Sequence, residues 1–112
     1  MASLFAQYVK ERENAEVLET DKGFAKYHLK PDHVYIEDIF VLPEFRKDGL
    51  AKEMANEIAK IAKEHGLSRM VGSVCLNAKG ATASANVLLA YGMRLAGIEQ
   101  ESGMIYFVKE LV

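Results

Sequence analysis

The sequence predicts an α/β fold in which helices lie on the faces of a mixed sheet, giving an α/β sandwich. Three observations lead to this prediction. Apolar residues alternate in some segments and recur at helical spacing in others. A glycine-containing turn joins an early apolar run to an alternating segment, which is typical of an antiparallel hairpin. A strand–helix–strand segment spans residues 34 to 76, and such a crossover makes its two strands parallel.

The composition is that of an ordinary globular protein. Half of the 112 residues are hydrophobic, 27% are charged and the net charge is -2, so we expect a single domain over residues 1–112 and no nucleic-acid partner. No apolar run approaches the ~20 residues that span a bilayer, so we expect no membrane association. The N-terminus does not resemble a signal peptide. The lone Cys75 suits a reducing compartment, and we expect a cytoplasmic protein.

The first half of the chain is predicted to contain one helix and three strands. Residues 3–13 show the spacing of a short amphipathic helix. The segments AEVLET and GFAKYHL flank a turn at residues 21–23, which predicts a β-hairpin. The segment VYIEDIFVL at residues 34–42 is predicted to be a long strand.

That long strand carries charged residues among apolar ones. The alternation of a strand predicts that four residues share one face: Tyr35, Glu37, Ile39 and Val41. Pro43 is expected to end the strand, because it cannot donate a hydrogen bond to the ladder.

The second half is predicted to alternate between helices and strands. These elements lie at residues 50–65, 69–76, 81–96 and 104–108. The later helix is expected to be capped near Thr82 or Ser84, and Gly97 is expected to permit a turn after it. The predicted order is therefore α, β, β, β, α, β, α, β.

A basic turn joins the long strand to the following helix. The first N–H groups of a helix lack internal partners, and the helix dipole adds partial positive charge there. Gly49 lets the backbone approach a ligand closely, and Arg46 and Lys47 add full charges. The turn thus predicts a phosphate-binding site, with a solvated turn as the alternative. The spacing fits neither G-x-x-x-x-G-K-S/T nor G-x-G-x-x-G, which disfavours Walker-type and Rossmann sites.

The same residues carry a resemblance to a known family. RKDGLA, residues 46–51, fits Q/R-x-x-G-x-G/A, the pyrophosphate signature of the GNAT N-acetyltransferases, and the chain resembles that family. The context is similar too, because the signature follows a strand ending in V-x-P and opens a long helix. The strand segment YIEDIFVLPEFR resembles that of the polyamine and thialysine acetyltransferase branch. The resemblance covers about residues 15–112. It implies a GNAT-like acyl-CoA N-acyltransferase fold, a three-layer α/β/α sandwich with a mixed, mostly antiparallel sheet.

The resemblance implies acetyl-CoA as the acetyl donor. In the family, backbone groups of the strand pair with the pantetheine arm, a role that maps onto Ile39, Phe40 and Val41. Arg46 is implied to lie beside the pyrophosphate. Asn86 matches an asparagine that contacts the cofactor, with an ordinary polar helix position as the alternative. The amides implied to bind the pyrophosphate are those of Lys47, Asp48, Gly49, Leu50, Ala51 and Lys52.

The resemblance also implies a general base. An amine is protonated at neutral pH and must lose a proton before it attacks a thioester. Glu37 matches the family position of this base, whereas Asp38 is expected to point to the opposite face. The alternative for Glu37 is an ion pair with Lys26 on a neighbouring strand.

A general acid is less clearly assigned. The family often has a tyrosine seven residues after the asparagine and four before a glycine that ends the helix. Asn86 and Gly97 keep this separation, but Met93 occupies the tyrosine position. Tyr91, two residues earlier, is the candidate that we carry forward, with Tyr106 as another. A thiolate is only weakly basic, so a reaction without an acid also stays open.

The main functional hypothesis is an N-acetyltransferase that acts on a primary amine by direct attack in a ternary complex. A small-molecule acceptor is favoured, and a peptide amine stays open. The rival is a non-catalytic acyl-CoA-binding or interaction module on the same fold. The three histidines are not at metal-ligand spacing with one another or with Cys75, so no metal is assigned. The last strand, MIYFV, leaves a homodimer open.

Overall fold

The computed structural model describes residues 2–111. Within them the chain forms three α-helices, one 3-10 turn and six strands. In chain order they are α1 Leu4–Glu13, β1 Glu16–Glu19, β2 Gly23–Leu29, β3 Val34–Val41, the 3-10 turn Pro43–Phe45, α2 Leu50–Glu64, β4 Arg69–Cys75, α3 Ala81–Ala90, β5 Arg94–Glu99 and β6 Met104–Glu110.

The strands form one mixed sheet in the order β1-β2-β3-β4-β6-β5. Among the described strands, β3 and β4 are the one parallel pair, and every other neighbouring pair is antiparallel. The predicted hairpin, the long strand and the parallel crossover through α2 are therefore confirmed.

The two faces of the sheet are covered differently. On one face, Met54 and Ile58 of α2 pack against Ile36 and Met70 of the central strands, and α3 adds partly buried residues to this core. On the other face, the ring of Phe5 in α1 meets that of Phe24 in β2, with 5.1 Å between the ring centroids. Helices thus lie on both faces, and the predicted three-layer α/β/α sandwich is confirmed.

A β-bulge in β3 changes which residues share a face. Lys26 of β2 stands opposite Asp38, but Tyr27 stands opposite Ile36, so β3 has one additional residue at Glu37. A bulge interrupts the alternation of side chains. The prediction that Glu37 shares a face with Ile39 and Val41 was therefore wrong. Glu37 faces the α1 side of the sheet, whereas Ile39 and Val41 join the core beneath α2.

The last third of the chain differs from the prediction in three places. α3 begins after Gly80, whose φ of 81° is left-handed, so the cap predicted near Thr82 or Ser84 was wrong. α3 ends at Ala90, because Gly92 with a φ of 96° turns the chain. The segment after it forms a strand, β5, that was not predicted. Gly97 lies inside this strand, next to a shift in register, rather than in a turn.

Candidate functional site

A gap separates the carboxyl-terminal halves of the two parallel strands. β3 and β4 pair at three positions, the last of which joins Ile36 to Gly72. β3 nevertheless continues to Val41 and β4 to Cys75. The strands therefore part beyond Ile36 and Gly72. We call the space between them the β3–β4 gap; it lies at the carboxyl ends of parallel strands, where α/β proteins commonly bind ligands.

Backbone groups of β3 point into this gap. The Leu42 N–H donates to the Lys22 carbonyl oxygen at 2.8 Å, on the β2 side. Successive residues of a strand direct their backbone groups to opposite sides. Ile39 and Val41 therefore direct theirs towards β4, while Phe40 directs its own towards β2. Of the three residues predicted to line the pantetheine arm, two have their backbone groups on the side of the gap.

The turn between β3 and α2 has the geometry of an anion site. Lys47 and Gly49 are both left-handed, with φ values of 71° and 86°. A Cβ at Gly49 would meet no atom of the described residues within 4 Å, so the turn is open to its surroundings. The first backbone bond of α2 runs from the Glu53 N–H to the Gly49 oxygen, and within residues 2–111 no side chain caps this helix start. The preceding amides are thus available to an anion.

Arg46 holds this turn against the end of β3. Its Nε donates to the Val41 carbonyl oxygen at 2.9 Å, and its guanidinium lies 5.7 Å from the centroid of the Phe40 ring. The side chain therefore links the basic turn to the β3–β4 gap. The Val41 carbonyl oxygen already accepts a hydrogen bond from Arg46. On the gap side of β3, the backbone N–H and carbonyl of Ile39 take no part in that bond.

Glu37 lies just beyond the last pair of the parallel ladder, within a cluster of charged side chains. Its carboxylate accepts a hydrogen bond from Lys26 Nζ at 2.7 Å and lies 2.7 Å from His28 Nε2. Lys26 also pairs with Glu13 of α1. Partial burial acts to raise the pKa of Glu37, but the bonds from Lys26 and His28 outweigh it, and the pKa lies below its usual range. The ion pair with Lys26 is confirmed, and Glu37 is ionised at neutral pH.

A second polar pair bridges the two parallel strands on the same face. Tyr35 Oη of β3 lies 2.5 Å from Ser73 Oγ of β4. Ser73 follows Gly72 directly, so it is the first β4 residue beyond the ladder, as Glu37 is on β3. Sequence reasoning missed Ser73 and His28. The alternation in β2 and β4 signals which face they share, but their contacts depend on how the strands align.

Tyr91 lies away from the gap. Its hydroxyl donates to Asn56 Oδ1 of α2 at 2.8 Å, and its carbonyl accepts a bond from Lys109 Nζ at 2.7 Å. Lys109 stands opposite Met70, near the start of β4, whereas the gap opens towards its end. The structure does not bring Tyr91 and Glu37 together.

Asn86 was proposed as a cofactor contact from its eleven-residue separation from the glycine expected to end α3. That glycine is Gly92 rather than Gly97. Four and eleven residues before Gly92 stand Leu88 and Ala81. The spacing that pointed to Asn86 therefore points elsewhere, and Asn86 is an exposed residue of α3.

Two features are absent from the described part of the chain. Over residues 2–111, no helix is long and apolar enough to cross a membrane. The same residues contain no group of three His, Cys, Asp or Glu side chains placed to hold a metal ion.

The Acetyltransferase (GNAT) family model matches residues 6–85. The chain belongs to this family. The match runs from α1 into α3 and includes the β3–β4 gap, the basic turn and the Glu37 cluster. Family membership supports acetyl transfer from acetyl-CoA as the general activity. No curated protein matches the chain.

Solved structures with the same fold include three with a bound cofactor. An acetyltransferase from Bacillus subtilis in complex with CoA has a TM-score of 0.72 at 18% identity, covering 95% of this chain and 84% of that chain. A GNAT family acetyltransferase from Elizabethkingia anophelis with acetyl-CoA bound has a TM-score of 0.73 at 18% identity, covering 96% and 82%. The PaiA N-acetyltransferase from Thermoplasma acidophilum in complex with coenzyme A has a TM-score of 0.75 at 16% identity, covering 96% and 69%. These neighbours confirm the GNAT fold.

Proposed function

We propose that the chain transfers the acetyl group of acetyl-CoA to a primary amine by direct attack in a ternary complex. The observation that carries this proposal is the β3–β4 gap, which lies between the open start of α2 and the carboxylate of Glu37. One end of the gap can hold an anion, and the other carries a group that can accept a proton. The acceptor amine would belong to a small molecule, with a peptide amine as the other source.

The donor would be held by the groups whose geometry fits it. The amides at the start of α2 are directed at an anion and preceded by the basic side chains of Arg46 and Lys47, which suits a pyrophosphate. The backbone of Ile39 can pair with an extended chain that enters the gap, as an added strand would. The proposed pyrophosphate set is Arg46, Lys47, Asp48, Gly49, Leu50, Ala51 and Lys52.

Glu37 is the proposed proton acceptor for the amine. It follows the last pair of the β3–β4 ladder, at the point where the gap begins, which we call the vertex of the gap. It lies on the α1 side of the sheet, and 36% of its side-chain surface is exposed. Its lowered pKa keeps it ionised, so it can attract the ammonium form of the acceptor and take one proton from it, which leaves a neutral amine that can attack the thioester. We leave Tyr91 and Asn86 out of the proposed mechanism.

The first test is calorimetric titration of the purified protein with acetyl-CoA. We expect micromolar binding that Gly49→Glu weakens by at least about a hundredfold, because the new carboxylate stands at the anion site. Gly66→Glu is the matched control: Gly66 is also left-handed and open, with a φ of 77°, but it follows the other end of α2. Equal loss in both variants, or no binding by the wild type, would refute the cofactor site.

The second test is turnover with a panel of primary amines, read by mass spectrometry of the acetylated product. Direct detection of the product is preferable to a thiol reagent, because the partly exposed Cys75 would react as well. The rival is a non-catalytic acyl-CoA-binding module. It is favoured by the position of Tyr91, the candidate general acid, whose hydroxyl donates to Asn56 of α2 instead of reaching the gap. Binding of acetyl-CoA without acetylation of any amine would support that rival.

A further inference from the structure

We propose that Ser73 donates a hydrogen bond to the CoA sulfur as it leaves, and that Tyr35 orients the Ser73 hydroxyl for this purpose. This inference rests on the proposed acetyl transfer and extends it to the leaving group. It assigns to β4 the role for which sequence analysis considered Tyr91.

The position of Ser73 carries the inference. The parallel ladder ends at Ile36 and Gly72, and the next residues on the two strands are Glu37 and Ser73. Both side chains lie on the α1 side of the sheet, because Ser73 contacts Tyr35 and Glu37 contacts Lys26 and His28. One strand thus offers a carboxylate and the other a hydroxyl at the vertex of the gap.

The contact with Tyr35 leaves the Ser73 hydrogen available to a ligand when Tyr35 is the donor. A hydroxyl has one hydrogen to donate and two lone pairs to accept with. The 2.5 Å contact uses one hydrogen, from either hydroxyl. When Tyr35 donates, Ser73 keeps its own hydrogen for a third group. Within residues 2–111, Ser73 Oγ has no hydrogen-bond partner besides Tyr35, so that hydrogen is free for a ligand in the gap.

The chemistry requires a hydrogen bond and not a proton transfer. Glu37 takes one proton from the ammonium, the neutral nitrogen then forms a bond to the acetyl carbon, and the second proton that the nitrogen loses passes to water. The C–S bond breaks and its electron pair stays on sulfur. A thiol is a stronger acid than an aliphatic hydroxyl, so Ser73 keeps its proton and the thiolate takes one from water after release. A donor aimed at developing negative charge lowers the barrier because it needs no reorganisation.

The experiment compares Ser73→Ala, Ser73→Thr and Tyr35→Phe with the wild type, using the best amine of the acceptor panel. We expect Ser73→Ala to lower kcat about tenfold while the Kd for acetyl-CoA changes less than twofold, and Ser73→Thr to keep kcat within about threefold because the hydroxyl is retained. Tyr35→Phe should have a smaller effect, and the double variant should be no worse than Ser73→Ala.

The outcomes separate this inference from the proposed function. If the wild type acetylates amines and Ser73→Ala keeps the wild-type kcat, the role of Ser73 is refuted and the acetyl transfer stands. If Ser73→Thr falls as far as Ser73→Ala while both fold and bind acetyl-CoA, packing rather than the hydroxyl matters, and the inference also fails. If the wild type binds acetyl-CoA but acetylates no amine, the proposed function fails first and this inference falls with it.

Discussion

The two strand-to-helix units of the molecule, β3 with α2 and β4 with α3, start their helices alike but anchor them differently. Each helix follows a left-handed glycine, Gly49 or Gly80, and within residues 2–111 neither start carries a side-chain cap. α2 buries five residues in the core, whereas the described structure shows no buried residue in α3. α3 is held through partly buried side chains, those of Ala81, Ala85 and Leu88.

The difference shows what a helix start needs in order to serve as a binding site. Among the described residues neither helix start carries a side-chain cap, so that feature does not distinguish the units, although the Ala81 N–H of α3 donates to the Ala78 carbonyl oxygen. The amides of α2 are held in place by the buried face of the helix, and a preorganised site loses little conformational freedom on binding. Arg46 further ties the turn to β3. We therefore expect the first unit to bind the cofactor pyrophosphate and the second to contribute little affinity.

The largest contrast is expected in stability. Ile58 of α2 is fully buried, whereas Leu88 of α3 is partly buried. Ile58→Ala leaves a cavity in the core and should lower the free energy of unfolding by about 3 kcal/mol, while Leu88→Ala should lower it by about 1 kcal/mol. Urea denaturation followed by circular dichroism measures both. Equal losses would show that α3 is as firmly anchored as α2.

The next contrast concerns acetyl-CoA affinity. Gly49→Glu and Gly80→Glu introduce the same charge at equivalent positions, each at a left-handed residue with no described atom within 4 Å of the new Cβ. We expect the first to weaken binding by at least about a hundredfold and the second by less than about threefold, because charge repulsion acts at the pyrophosphate site alone. Calorimetry on both variants measures the difference, and a similar loss at Gly80 would extend the anion site to α3.

The first unit was also the more predictable one, for a physical reason. Its signals are local: an alternating strand, Pro43 as a breaker, Gly49 before a helix, and apolar residues at helical spacing. The proposal of an anion site at Arg46, Lys47 and Gly49 follows from these signals, because a helix start depends on its own backbone. The resemblance to the GNAT family extended the proposed set to Lys52.

The features that could not be predicted from the sequence depend on how neighbouring strands align. The bulge at Glu37 arises because Lys26 stands opposite Asp38 and Tyr27 opposite Ile36, a register that neither strand specifies by itself. The Tyr35–Ser73 pair likewise joins residues 38 positions apart. In the second unit, the predicted helix ended before Gly97 instead of before Gly92. It was therefore six residues too long and included the first residues of β5.

A smaller contrast concerns the basic residues that precede the two helices. Arg46 bonds to the end of β3 and lies beside the start of α2, whereas Lys79 precedes α3. Arg46→Ala should weaken acetyl-CoA binding about tenfold, through loss of its charge and of the bond that holds the turn. Arg46→Lys should recover part of the loss, and Lys79→Ala should stay within about twofold. A loss at Lys79 as large as that at Arg46 would contradict the asymmetry between the units.

The smallest effect is expected from the charged cluster on the open face of the first unit. The pKa of Lys26 is raised by its bonds to Glu13 and Glu37, and that of Glu37 is lowered overall from its usual 4.5. The Glu37 contribution is present above pH 4.5 and is lost as the pH falls through the lowered value.

For Lys26 the sign is opposite. Its contribution is present below its usual 10.5 and is lost as the pH rises through the raised value. Lys26→Met should therefore reduce the free energy of unfolding by about 0.5 kcal/mol between about pH 5 and 10, since these groups are partly exposed. Urea denaturation at pH 3 and pH 7 tests this: a deficit at pH 7 that persists at pH 3 would mean that the lysine stem packs rather than pairs.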